Sequence, residues 1–177
     1  MSTKVFYALV WTICGIVFQL LLFFSGFQTE KLEIGQYLQW LGLVIAAGVL
    51  WLGIKAVRDE KPARALGYGQ RLGAGVLISL YAGLMSALYT YFHYQFINVN
   101  FADYSIARIR EKWAAAGLGG SQMDQAEKIT RTMLSPAVQA LMTPVIMVLI
   151  GLVLSSIIAA FLESRSPEAP DGAPPAS

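Results

Sequence analysis

Long apolar blocks alternate with short polar connections along this chain, and the blocks share one length class. Val5 to Phe24, VFYALVWTICGIVFQLLLFF, holds no ionisable side chain apart from the Cys14 thiol. A second block covers residues 37–57 around LGLVIAAGVLWLGI, a third covers 70–97, and a fourth, PVIMVLIGLVLSSIIAAFL, ends at Leu162. A helix rises about 1.5 Å per residue, so about 20 residues cross about 30 Å of hydrocarbon. The pattern therefore predicts an all-α integral membrane protein with spans at 5–24, 37–57, 70–97 and 138–162. The last helix has a start signal as early as Pro136, with Ser135 placed to cap it and proline suited to the first helical position. The third block is longer than the hydrocarbon needs, which implies tilt or a protruding end rather than an extra span. The first is too long for a signal-peptide core and precedes no small-x-small cleavage pattern, so it is expected to be retained.

Between the third and fourth blocks, residues 98–135 follow a different pattern. Ala102, Ile106, Ile109, Trp113 and Ala116 recur at spacings of three and four, which gives one apolar helical face, and Gly117 is placed to stop that helix. A second amphipathic stretch follows, with Met123, Ala126, Thr130, Met133 and Leu134 on one side and Ser121 with Asp124 resembling a capping box. These two helices are expected to form an extramembrane pair, either capping the bundle or presenting a surface to a partner or to the bilayer. Residues 1–163 thus read as one four-helix domain. The remainder, 164–177, is rich in proline, alanine and acid, has nothing to bury and is expected to be disordered.

Composition agrees with this class, since 56% of the chain is hydrophobic and 14% charged, against about 25% charged in an average soluble protein. Charge adds an orientation. The second connection carries Lys55, Arg58, Lys61, Arg64 and Arg71, whereas the first carries only Lys31 against Glu30 and Glu33. Basic short loops stay cytoplasmic, which predicts both termini inside. The net charge of +2 leaves no basic patch that calls for nucleic acid.

Candidate chemistry is sparse. One cysteine permits no intramolecular disulfide, and Ile13 stands where a lipoprotein signal would need a small residue before Cys14. The single histidine, His93, has no second histidine to build a metal site or activate a nucleophile. GYGQRLGAG lacks the lysine and hydroxyl residue of a phosphate-binding loop. No catalytic residue, cofactor or metal is therefore predicted. His93 sits among Tyr89, Tyr91, Tyr94 and Phe96 at the end of the third block, where a belt of aromatic rings marks a membrane–water interface, and Trp113 is a candidate anchor of the same kind.

Small residues form the most specific pattern. Gly69 and Gly73 make a GxxxG pair, Gly75, Ser79, Gly83 and Ala87 continue at four-residue steps, and Gly151, Ser155 and Ala159 repeat the theme in the fourth block. Such stripes let helix backbones approach closely in lipid, inside one molecule or across a homodimer seam. The polar residues well within the blocks are Thr12, Gln19, Ser79, Ser86 and Ser155. Whether they converge on one cavity separates a small oligomeric transporter or channel from a structural or interaction protein.

The stretch LGYGQRLGAGVLISLYAGLMSALYTYFHYQFINVNF, followed by a charged helical segment and a last hydrophobic span, resembles the bacterial membrane proteins of the "domain of unknown function 4199" family. The similarity covers roughly residues 4–163, with Val99 standing where the family often has proline. It implies a four-helix protein of a bacterial cytoplasmic membrane and brings no established activity.

Overall fold

A computed structural model describes residues 1–60 and 66–162. The helices are α1 (Thr3–Phe24), α2 (Leu32–Leu38), α3 (Leu41–Asp59), α4 (Tyr68–Phe92), α5 (Phe101–Ala115), α6 (Gly120–Met133) and α7 (Pro136–Phe161). No strand occurs among the described residues. Four stretches are long and apolar enough to cross a membrane: Thr3–Phe24, Leu32–Asp59, Tyr68–Ile97 and Pro136–Phe161. Lys61 and Arg64 of the basic connection, and the 164–177 tail, lie outside the described residues.

Local chemistry explains the helix ends. Gly26 follows α1 with φ 77°; its N–H donates to the Phe23 carbonyl at 3.0 Å and that of Phe27 to Leu22 at 2.9 Å. This is a Schellman stop, and the left-handed backbone it needs favours glycine. Gly117 ends α5 in the same way, with φ 78° and bonds from Gly117 to Ala114 and from Leu118 to Trp113. Two expected caps take another form. Ser135 does stand before Pro136, but its hydroxyl donates backwards to the Thr132 carbonyl at 2.7 Å instead of capping α7. Ser121 lies inside the first turn of α6, so it does not begin a capping box. The helix starts two residues earlier than a Ser121 cap would give, at Gly120 after Gly119, whose N–H donates to Gln122 Oε1 at 3.4 Å.

The core lies where α1, α3, α4 and α7 meet: Ala8 and Trp11, Ala46, Leu50 and Ile54, Ile78 and Ala82, then Ile158 with Leu162. At Gly53 of α3 a Cβ would come within 2.8 Å of Ile78 Cδ1 and 3.1 Å of Tyr7 Cβ, so three helices converge on a bare backbone. The outward faces are apolar as well, with Phe6, Ile13, Val17 and Leu21 of α1 and Val145, Ile146, Leu149 and Val153 of α7 exposed. That much exposed hydrocarbon is a liability in water and the ordinary surface of a helix bundle in lipid.

The closest pairing is between α4 and α7, which run antiparallel. A Cβ at Gly75 would overlap the hydroxymethyl group of Ser155, and a Cβ at Gly151 would overlap that of Ser79. Gly83 lies against the Pro144 backbone, where a Cβ would stand 2.8 Å from the proline Cα. Ala159 is fully buried, and Ala87 is half-buried one turn beyond Gly83. Gly69 and Gly73 stand apart, because a Cβ at either would meet no atom within 4 Å.

Helices α5 and α6 lie side by side, joined by Arg110–Glu127 (3.0 Å), Arg131–Asp103 (2.7 Å) and Arg131–Glu127 (3.4 Å). Hydrogen bonds to Asp103 and then Glu127 hold the Arg131 guanidinium above its ordinary pKa, so it stays charged at any working pH. Arg108 joins Glu33 at the start of α2 at 2.5 Å. Ile106 is the buried residue of α5, Ala102, Ile109 and Trp113 are half-buried, and α6 buries none.

Candidate functional site

Beyond Phe92, helix α4 widens into one π-helical turn, His93–Ile97, closed by a bond from the Asn98 N–H to the His93 carbonyl at 2.7 Å. Such turns add a residue to the helix circumference and are frequent at functional sites. Here the turn points His93 inward, and its side chain is fully buried.

His93 Nε2 lies 2.9 Å from Gln28 Oε1, and its Nδ1 lies 3.0 Å from the Tyr89 hydroxyl. The Gln28 amide is oriented by its own nitrogen, which donates to the Gln19 carbonyl at 3.3 Å. Its oxygen can only accept, so His93 carries its proton on Nε2 and accepts from Tyr89 on Nδ1. Asn98 Nδ2 also donates to Gln28 Oε1 at 3.4 Å, and Gln19 Nε2 donates to the Tyr94 hydroxyl at 3.3 Å. A neutral imidazole thus ties the connection after α1 to the end of α4, with both ring nitrogens engaged, as burial demands.

His93 itself is thus buried, where the aromatic neighbourhood predicts a place in a surface belt. Phe23, Tyr89 and Tyr94 surround the imidazole with ring centroids 5.1–5.8 Å away, whereas Tyr91 and Phe96 point outward and are exposed, and Trp113 is on α5. Gln28 is the partner that residue patterns missed, because it sits in a connection 65 positions upstream with no periodicity to mark it. Among the described residues no three His, Cys, Asp or Glu side chains come together as a metal site would need.

Beside His93 is a cavity of about 180 Å³ between α1, the end of α4 and α7. Trp11, Gly15, Ile16 and Gln19 line one wall, Ser86, Tyr89, Thr90, His93 and Tyr94 the second, and Met147 the third. Of the polar residues singled out within the apolar blocks, Gln19 and Ser86 therefore reach one space, and the other three do not. Thr12 donates to the carbonyl of Ala8 at 2.9 Å and approaches that of Ala82 at 3.4 Å. Ser79 donates to Gly75 at 2.8 Å, and Ser155 is buried in the α4–α7 seam without a hydrogen-bond partner.

No curated protein and no solved structure matches this chain. A family model described as protein of unknown function (DUF4199) does match, over residues 6–164. That match takes in the apolar helices, the seam and the His93 cavity together, and the chain belongs to the DUF4199 family of proteins of unknown function.

Proposed function

We propose that the protein is a non-enzymatic, multi-pass component of a bacterial cytoplasmic membrane, with both termini inside, that acts by contact with other membrane proteins. In this reading α5 and α6 form an extramembrane amphipathic pair. The observation that carries it is the state of α6, which is joined to α5 by ion pairs, buries no residue and leaves Ile129 and Met133 more than half exposed. A helix whose apolar side chains find no core in its own chain is suited to a partner's surface. A photo-crosslinking residue placed at Met133 should yield a discrete protein adduct in cells, while the same group at Leu21, on the apolar face of α1, should capture lipid alone. Lipid adducts alone at both positions would remove the interaction reading.

The second reading is a small oligomeric transporter or channel, favoured by the meeting of Gln19 and Ser86 in one cavity. It fits less well because Thr12, Ser79 and Ser155 are turned into helix contacts, so these polar groups do not continue the cavity along the bundle.

A further inference from the structure

The cavity beside His93 has unspent hydrogen-bonding capacity. Tyr94 accepts from Gln19 and so retains its own O–H to donate, while Gln19 Oε1 and Ser86 Oγ have no protein partner among the described residues. Polar groups left without partners in a hydrocarbon setting are costly, and a ligand or water must answer them. No charged side chain lines the space, so the complement is neutral. Its size, about 180 Å³, is comparable with an engineered cavity of about 150 Å³ that takes benzene. The rings of Trp11, Tyr89 and Tyr94 provide walls for a flat molecule.

Access comes from the side. α1 and α7 each pack on α4, and at this level α1 contributes Gly15, an exposed residue whose missing Cβ would meet no atom within 4 Å. The α1 wall beside that gap carries Trp11 and Ile16, so this edge of the cavity is apolar. We infer that the cavity binds, from within the bilayer, the head ring of a neutral lipid-borne compound with carbonyl or hydroxyl substituents, of the quinone or quinol class. Tyr94 would donate to a ring carbonyl, and Gln19 Oε1 or Ser86 Oγ would accept from a ring hydroxyl. His93 is a wall here rather than a ligand, since both ring nitrogens are engaged. This inference is independent of any docking role for α6.

The test uses the full chain in mild detergent, with Trp40, Trp51 and Trp113 replaced by phenylalanine so that Trp11 alone reports. A benzoquinone with a short alkyl tail should quench Trp11 saturably at one equivalent. Gly15→Leu, which closes the mouth, should weaken binding at least about tenfold, the step that corresponds to ~1.4 kcal/mol. Ser86→Ala should weaken it by a few-fold, and thermal midpoints without ligand should match the parent. Quenching that rises without saturation, as for free tryptophan in the same detergent, would overturn the inference. So would variants that titrate like the parent. If Gly15→Leu lowers the midpoint, Ser86→Ala alone decides.

Discussion

Ser79 of α4 rests its hydroxymethyl group on the bare backbone of Gly151 in α7, and four residues away the roles reverse, with Ser155 of α7 resting on Gly75 of α4. Each helix supplies the gap and the filler. The pairing brings the two backbones into contact without a cavity, and contact of this kind is what holds helices together where lipid already satisfies apolar surface.

Gly151→Ala should be destabilising by about 1–3 kcal/mol, because the new methyl group lands on Ser79 in a seam with no room to move. Gly73→Ala should leave stability unchanged or slightly raised, as nothing stands within 4 Å of its Cβ and alanine is the better helix former. Ser155→Ala retains the Cβ and removes a buried hydroxyl that has no partner, so it should be neutral or stabilising. Thermal unfolding in one detergent ranks the three variants, and equal midpoints for Gly151→Ala and Gly73→Ala would show that the seam carries no packing constraint.

A second comparison lies at the crossing of Gly83 and Pro144. Leucine at position 83 must push against the proline backbone, which cannot rotate away, so Gly83→Leu should lose stability by at least about 1–3 kcal/mol. Leu80→Ile, half-buried and of equal volume, should cost less than ~1.5 kcal/mol. The same thermal assay separates them.

His93→Phe leaves the Gln28 side-chain carbonyl with only the longer bond from Asn98 and Tyr89 without its acceptor, each buried or partly so. A loss of about 1–3 kcal/mol is expected, and Gln28→Leu should cost a similar amount because it strands the imidazole Nε2–H instead. The double variant should then be closer to either single variant than to their sum, since the two changes remove one interaction. Strict additivity in that cycle would mean that the hydrogen bond contributes nothing. Metal analysis of purified protein should find no stoichiometric transition metal, in wild type and in His93→Phe alike.

Orientation is tested by fusing a reporter active only in the cytoplasm to the C-terminus and, separately, inserting it within residues 117–120. Signal from the first and silence from the second is the outcome that the basic connection after α3 implies. The reverse pattern would invert the bundle.

The apolar helices were legible in the sequence because hydropathy over about 20 residues is a sum, insensitive to the place of any one side chain. Close contacts were legible only in part. Four-residue spacing tells that Gly69, Gly73, Gly75, Ser79 and Gly83 recur on neighbouring faces of one helix, but it does not tell where another helix crosses. α7 comes closest to α4 at Gly75, Ser79 and Gly83, whereas a Cβ at the first two glycines would meet no atom within 4 Å. Gly53, at the junction of α1, α3 and α4, belongs to no small-residue stripe and could be found only from the packed structure. The His93 environment failed to show for another reason. Its key partner, Gln28, approaches through a chain reversal set by Gly26, and no periodic signal connects a turn to a helix end 65 residues later.

Gly75-Val-Leu-Ile-Ser79 and Gly151-Leu-Val-Leu-Ser155 are the same five-residue word in small and large residues, and read antiparallel the word is its own complement. In free solution a palindrome of this kind would let α4 of one molecule zip against α4 of another as readily as against its own α7. Inserted the same way round in a bilayer, every copy of α4 points in the same direction, and the antiparallel match between them is forbidden. In a bilayer the membrane itself would thus serve as the proofreader. There the seam could close only between a fourth and a seventh helix, and two molecules could share it only by exchanging them.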